Sequence, residues 1–213
     1  MRAGLFWRGD TLDARDALLL RSPADRLARA ISIVCAPPVM ILPLIALAVW
    51  YTDEVGAAVV RGSLTFFATA SLLPCLFIYA AYRAGFVSSP DLPRRSERLQ
   101  PALFAAVCAV AAYPLLRVAE APAIFLPLSA ALALQMLALA VITFWWKISY
   151  HAAGVAGVAL VALAWGGASL AMPFLALSML VGWARLHLHR HTPAQVVAGW
   201  LSALPALWWT WPL

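Results

Sequence analysis

Charged side chains are scarce in this sequence, and that scarcity excludes the commonest class of protein. Only 11% of its 213 residues are Asp, Glu, Lys or Arg, whereas 64% are hydrophobic, and the mean hydropathy is +0.87. A water-soluble domain carries roughly twice this share of charged residues. The composition therefore predicts an all-α polytopic membrane protein rather than a soluble domain.

Cysteine is equally sparse and gives no sign of a disulfide framework or a zinc ribbon. Cys35, Cys75 and Cys108 all lie in apolar runs, and no C-x-x-C spacing joins them. Such residues are typical of the packed interior of a helix bundle. The sequence thus predicts neither a metal nor any other cofactor.

The first 30 residues lack the long apolar core of a removable signal peptide, because charges occur throughout them. Ser22, Pro23 and Asp25 fit an N-cap, a first-turn proline and an acidic third position of a helix. We therefore predict a cytoplasmic N-terminal amphipathic segment over residues 1–30, followed by one transmembrane helical domain over residues 31–213.

Apolar runs near the length of a membrane-spanning helix follow one another through the rest of the chain. They predict a bundle of about six to seven transmembrane helices. The two runs after His151 are short and are joined by "WGGAS", which indicates a tight helical hairpin. The runs are Ile31–Tyr51, Ser63–Tyr82, Pro101–Val118, Ala123–Trp146, Ala152–Gly166, Ser169–Trp183 and Pro193–Trp211.

Basic residues are distributed unevenly between the two sides of this predicted bundle. All of the 15 Lys and Arg residues except Arg61 and Arg117 fall on the side of the N-terminus. The positive-inside rule then makes that side cytoplasmic, in a membrane of the bacterial inner-membrane type. Because the rule also accounts for part of the net charge of +6, we expect no nucleic-acid partner.

Three polar clusters lie on this predicted cytoplasmic side: "SSPDLPRRSERLQP" at 88–101, "WWKISYH" at 145–151 and "ARLHLHRH" at 184–191. Considered separately, the arginines could contact lipid headgroups, and Lys147 could anchor a helix end. Considered together, they predict a site for a tetrahedral oxyanion, since arginine binds phosphate bidentately and helix N-termini add free N–H groups. The candidate phosphate-binding residues are Arg94, Arg95, Arg98, Lys147, Ser149 and Arg185.

Two histidines can supply the remaining chemistry of phosphate-ester cleavage. One imidazole can attack phosphorus, and another can protonate the leaving oxygen and then activate water. His151 and His191 are the natural pair. Ser149 can cap the helix that starts near His151, and Thr192 with Gln195 can form a capping box after His191.

The intervals between these residues resemble the type 2 phosphatidic acid phosphatase superfamily. Its third motif reads Ser-Arg, five residues, His, three residues, Asp, three residues, Gly or Ala; here Arg185, His191, Gln195 and Gly199 occupy that frame. Its second motif, Pro-Ser-Gly-His, is matched in part by Ser149-Tyr150-His151. Its first motif, Lys, six residues, Arg-Pro, is looser, with Asp91 in place of the lysine, Arg98 as the arginine and the proline displaced to Pro101.

The resemblance implies a phosphatase-like helical core at about residues 84–211 and a partner that is a membrane lipid with a phosphate or diphosphate head. It implies that His191 forms a phosphohistidine, that His151 is the general acid and base, and that Arg98, Ser149 and Arg185 hold the phosphate. The implied reaction is metal-independent hydrolysis of a lipid phosphate or isoprenyl diphosphate. A prenyl-transferring enzyme is disfavoured, because the clusters lack paired aspartate-rich metal motifs.

Gln195 is the main departure from the family, which has a charged aspartate at that position to orient the nucleophilic histidine. We hypothesise that Asp91 or Glu97 replaces the missing charge. The alternative function is that of a catalytically impaired member that binds lipid phosphates in transport or interaction. His187 and His189 are predicted to be bystanders rather than parts of a metal site with His191.

Overall fold

A computed structural model describes residues 22–92 and 94–210, and every regular element in these two stretches is helical, as the composition predicted. A π-helical turn, Ala68–Leu72, joins α3 to α4, and a 3₁₀ turn, Arg95–Glu97, precedes α5. The α-helices are α1 (Pro23–Val34), α2 (Ile41–Tyr51), α3 (Ala57–Phe67), α4 (Leu73–Arg83), α5 (Leu99–Val118), α6 (Phe125–Trp145), α7 (Tyr150–His187), α8 (Pro193–Leu201) and α9 (Leu204–Thr210).

Four helical stretches in the described part of the chain are long and apolar enough to cross a membrane. They contain 27, 24, 21 and 38 residues, so each reaches the length that a hydrocarbon core of about 30 Å requires. The chain is therefore a helical bundle of membrane-protein character. The four stretches are Ala57–Arg83, Arg95–Val118, Phe125–Trp145 and Tyr150–His187.

The long element α7 folds back on itself at Gly167. A straight helix would separate His151 from Arg185 by about 50 Å at 1.5 Å per residue, yet both residues line one cavity. Gly167 has φ 69° and ψ −168°, a conformation that is essentially restricted to glycine. The hairpin predicted from "WGGAS" is thus confirmed, with arms 150–166 and 168–187.

The predicted single helix over Ile31–Tyr51 is wrong, because the run divides into α1 and α2. Pro37 and Pro38 lack the N–H that would continue the helical hydrogen bonds, and a turn replaces the helix there. The predicted start of α1 is confirmed, since Ser22 and Asp25 form a capping box in the structure. The run Pro193–Trp211 is likewise divided, into α8 and α9.

The helix ends that carry the three polar clusters meet at one end of the bundle. Arg98, at the N-terminus of α5, donates to the carbonyl oxygen of Ile148 before α7 at 3.2 Å. The N–H of Ser149 donates to the carbonyl oxygen of Gln195 in α8 at 3.3 Å. Residues from three separate sequence segments therefore share one small region.

Candidate active site

A cavity of about 610 Å³ lies among the helices and has a polar end and an apolar body. Helices α1, α2 and α4 to α7 contribute the apolar walls, including Ile41, Leu44, Ile78, Ala105 and Leu132. The polar end combines cationic and titratable side chains that lie far apart in the sequence. These residues are Asp91, Arg98, His151, Arg185, Arg190 and His191.

Arg98 is fixed by its own neighbours rather than free in the cavity. Its Nε donates to the carbonyl oxygen of Leu92 at 2.7 Å, while one terminal nitrogen donates to Ile148, and only 8% of the residue is exposed. These two bonds use backbone oxygens, which neutralise no charge. The guanidinium is therefore rigid and still cationic when it reaches the cavity.

Arg185 is the second buried arginine, and its Nε has no hydrogen-bond partner among the described residues. It lies in the last turn of α7 with 8% of its surface exposed. An unsatisfied buried N–H costs free energy, so such a group is a signal that a ligand completes the site. Asp91 lies within electrostatic range of Arg185 at the cavity wall.

The turn after α7 places His191 beside Arg185. The carbonyl oxygen of Arg185 accepts hydrogen bonds from the N–H groups of Arg190 at 3.0 Å and His191 at 3.3 Å. His189 adopts φ 50°, the left-handed conformation with which many helices end. Thus the sequence between Arg185 and His191 serves as a C-terminal cap that turns His191 back toward the arginine.

Gln195 orients His191 and selects its tautomer. The side-chain Oε1 of Gln195 lies 3.2 Å from the backbone nitrogen of Thr192 and 3.1 Å from Nδ1 of His191. Because the Thr192 N–H can only donate, the amide oxygen must face it, and that oxygen can only accept. Nδ1 of His191 therefore carries the proton, and Nε2 keeps a free lone pair.

The surroundings of His191 keep its imidazole neutral. Burial, followed by the charges of Arg185, Arg98 and Lys147 in that order, lowers the pKa of His191 to about 2, whereas the bond to Gln195 opposes this shift. Burial, followed by the charges of Arg98, Arg185 and Arg190, also lowers the pKa of Lys147, to about 8. At neutral pH His191 is thus an uncharged base among cations, the form that a nitrogen nucleophile requires.

The segment before α7 is held by its own cap and by α8. The buried Ser149 hydroxyl accepts from the N–H of Ala152 at 3.4 Å, which confirms the predicted cap and directs this hydroxyl to the helix. A methyl group on Gly199 would lie 2.6 Å from the carbonyl oxygen of Ser149, so only glycine allows this approach. His151 lies in the first turn of this helix and lines the same cavity as His191, with its ring next to the backbone of Ser32.

Two predicted arginines lie outside the cavity. The Arg94 side chain is 68% exposed and pairs with Glu97 at 3.7 Å, and Arg95 donates to the carbonyl oxygen of Phe144 at 2.6 Å. Glu97 also accepts from Ser88 at 2.8 Å. Of the predicted orienting residues, Gln195 makes the bond to His191, whereas Asp91 interacts with Arg185.

The two other histidines of the third cluster are engaged elsewhere. Nε2 of His187 lies 2.8 Å from a carboxylate oxygen of Asp25 in α1, and its ring stacks on Trp183 at 5.1 Å. His189 forms the turn described above. Neither residue lines the cavity, in keeping with the predicted role of bystander.

Four polar residues of the cavity wall were not singled out from the sequence: Arg29, Ser32, Gln135 and Arg190. Gln135 offered the clearest signal, because it lies in the middle of a 21-residue apolar helix, where polar side chains are costly. Arg190 was overlooked because the family motif assigns no role to the residue before the histidine.

Comparisons of the chain with protein-family models, curated proteins and solved structures found no match. The function must therefore be argued from the contacts of the site itself.

Proposed function

We propose that this protein is a membrane phosphatase that hydrolyses a lipid phosphate or an isoprenyl diphosphate through a phosphohistidine, as a divergent member of the type 2 phosphatidic acid phosphatase superfamily. One observation carries the proposal: two buried arginines and two histidines meet at the polar end of an apolar cavity. The Nε of Arg185, which has no hydrogen-bond partner among the described residues, and the unprotonated Nε2 of His191 are the groups that a bound phosphate would complete.

In the first step, Nε2 of His191 attacks phosphorus while Arg98 and Arg185 hold the phosphoryl oxygens. The bond between phosphorus and the leaving oxygen breaks, and His151, which takes up a proton from solvent as the anionic phosphate enters the site, gives that proton to the leaving oxygen. The positive charge formed on His191 is shared with the Nδ1–H that Gln195 accepts. The arginines stabilise the negative charge on the phosphoryl group as the transition state forms.

In the second step, His151 takes a proton from water, and the resulting hydroxide attacks the phosphohistidine. The bond between phosphorus and Nε2 breaks, so inorganic phosphate and the original His191 are released. His151 is again protonated and ready for another substrate. No residue outside the cavity is needed for the proton balance.

The proposal extends to the membrane topology. The two arms of α7, at 17 and 20 residues, are each near the length of a span, and α1–α2 and α8–α9 add two interrupted passes. This gives the seven-pass arrangement that the apolar runs predicted. The positive-inside rule favours a cytoplasmic active site in an inner membrane of bacterial type.

A second function is favoured by Gln195. An amide orients His191 but brings no negative charge to the phosphohistidine, so the same site could bind a lipid phosphate without turning it over. The protein would then act in lipid transport or as an interaction partner.

The test is phosphate release by purified protein from phosphatidate, phosphatidylglycerol phosphate and isoprenyl diphosphates, with and without EDTA and vanadate. We expect turnover that EDTA does not abolish, that vanadate inhibits and that His191→Ala eliminates. His189→Ala is the matched control, because it removes an imidazole two residues away that does not line the cavity.

Binding without release of phosphate from any of these lipids would reject the phosphatase and support the second function. Equal turnover in His191→Ala and the parent protein would reject the phosphohistidine. Accessibility labelling of a cysteine introduced at Ser88, beside the candidate site, reports the side of the membrane on which the cavity opens.

A further inference from the structure

Two polar side chains of the cavity wall have no role in the proposed reaction. Ser32 of α1 and Gln135 of α6 line the cavity beyond its cationic end, and both are more than nine-tenths buried. Polar groups at such depth in a membrane bundle are costly unless they bind something. Their position therefore calls for a chemical explanation.

Ser32 is the stronger signal. Its hydroxyl is buried and has no hydrogen-bond partner among the described residues, a property that it shares in this cavity with Arg185 alone. Its backbone lies next to the ring of His151. A hydroxyl is thus available beside the residue that would protonate the leaving oxygen.

Gln135 approaches the same stretch of α7 from another side. Its Nε2 donates to the carbonyl oxygen of Ala153 at 3.0 Å, and its Oε1 faces the bare backbone of Gly157. Ala153 and Gly157 follow His151 by two and six residues, which places the amide about 3–9 Å further along the helix axis. The amide group of Gln135 therefore lies further along α7 than His151 and deeper in the cavity than the proposed phosphate-binding end.

Two glycines of α7 line the cavity, one near the turn between α1 and α2 and one near Gln135. Gly154 and Gly157 line the cavity on the face of α7 that lies between α1 and α6. A methyl group on Gly154 would come within 3.6 Å of Pro37, and one on Gly157 within 3.4 Å of Gln135 Oε1. The cavity wall therefore carries no side chain at these two positions, which leaves room there for a ligand backbone.

From these contacts we propose that Ser32 and Gln135 form a subsite for an oxygenated lipid backbone, so that the substrate is a glycerolipid or sphingoid phosphate rather than an isoprenyl phosphate. This inference rests on the proposed function. In glycerolipids and sphingoid lipids, ester, amide or hydroxyl groups follow the phosphoester oxygen within a few bonds. An isoprenyl chain has only hydrocarbon there and would offer no hydrogen bond to the Ser32 hydroxyl or to Oε1 of Gln135.

The experiment compares kcat/KM for short-chain phosphatidate and for farnesyl monophosphate in the same detergent micelles. We expect the parent protein to prefer phosphatidate, and Ser32→Ala and Gln135→Leu each to lose about tenfold for phosphatidate alone, the value of one hydrogen bond. Ser129→Ala is the matched control, since this buried α6 hydroxyl bonds to Leu126 and does not line the cavity.

Equal loss for both substrates, or no preference in the parent protein, would overturn the subsite while leaving the phosphatase intact. If neither lipid is hydrolysed, the phosphatase fails, and equilibrium binding of the same two lipids decides the subsite. Weaker binding of phosphatidate alone by the two variants supports it, and unchanged binding overturns it. Ser32→Ala keeps the test valid if Gln135→Leu misfolds, because the serine hydroxyl has no hydrogen bond to lose within the described part of the chain.

Discussion

Replacing Gln195 by Glu should raise the turnover number of the proposed reaction, because it adds charge at an atom that already contacts His191, the proposed nucleophile. Oε1 lies 3.1 Å from Nδ1 of His191 and also accepts from the N–H of Thr192, so the isosteric carboxylate keeps both bonds. The change therefore leaves the tautomer as it is and supplies only the negative charge that the amide lacks.

The size of the effect follows from the distance. Unit charges about 4 Å apart interact by about 4 kcal/mol at an effective dielectric constant near 20. Gln195 is partly exposed, and only part of the positive charge has formed in the transition state, so we expect about 1.4–2.7 kcal/mol. That corresponds to an increase in kcat of about tenfold to a hundredfold.

The new carboxylate must not raise the pKa of His191 so far that the imidazole is protonated before the substrate binds. A carboxylate at hydrogen-bond distance raises a histidine pKa by about 1–3 pH units. Starting from a pKa of about 2, His191 remains neutral at pH 7. The gain in transition-state stabilisation is therefore not lost to protonation of the free protein.

The assay is kcat at saturating lipid phosphate for the parent protein, Gln195→Glu, Gln195→Leu and Thr192→Ala. Gln195→Leu removes the acceptor and should reduce kcat about a thousandfold or more, since an incorrect tautomer has a cost of that order in serine proteases. Thr192→Ala removes the other half of the capping box at about 0.5–2 kcal/mol of stability and should leave kcat within a few-fold. An unchanged kcat in a correctly folded Gln195→Glu variant would refute this reasoning.

Three further predictions follow from the site. The pKa of Lys147 near 8 means that this cation is lost as the pH rises through 8, so kcat/KM should fall there, and Lys147→Arg should remove the fall; a pH profile of both proteins checks this. Gly199→Ala would press a methyl group against Ser149 and should cost about 1–3 kcal/mol together with most of the activity, measured by thermal unfolding and turnover. Arg185→Lys replaces a planar guanidinium that can bind two phosphoryl oxygens at once, and it should lower kcat/KM about a hundredfold. Arg94→Gln changes an exposed side chain and should alter kcat/KM less than about threefold. Steady-state kinetics of the two variants check this difference.

Local chemistry explains which parts of the fold were predictable. The hairpin at Gly167 and the capping boxes at Ser22 and Thr192 depend on residues close together in sequence, and all three are present in the structure. The division of the Ile31–Tyr51 run at Pro37 and Pro38 was not predicted, because the hydropathy stays high across the two prolines. Their missing backbone N–H groups nevertheless interrupt the helix.

Side-chain direction explains which parts of the site were not predictable. Arg94, Arg95 and Arg98 look equivalent in the sequence, yet only Arg98 lines the cavity, because it begins α5 and bonds across to Ile148. The direction in which a side chain points at a helix end depends on packing between distant segments. The spacing of residues in the sequence carries no information on that packing. The position of Gln135 in the cavity wall was not predictable for the same reason. The apolar run predicts the helix that contains this residue, but not the cavity that the residue faces.

The charges of the cavity also indicate the kind of ligand that completes it. Arg98, Arg185 and Arg190 line the cavity and lie close enough to lower the pKa of Lys147 behind its wall, so these four cations repel one another. Asp91 offsets part of this repulsion at Arg185, while the bonds of Arg98 go to uncharged carbonyl oxygens. A lipid phosphate that enters through the apolar body would bring one or two negative charges to this point and replace repulsion by attraction at every cation. The free energy released in this way would be available to bind the proposed substrate and to hold His191 in line with phosphorus, so we expect the polar end of this cavity to favour a phosphoryl group over a neutral headgroup.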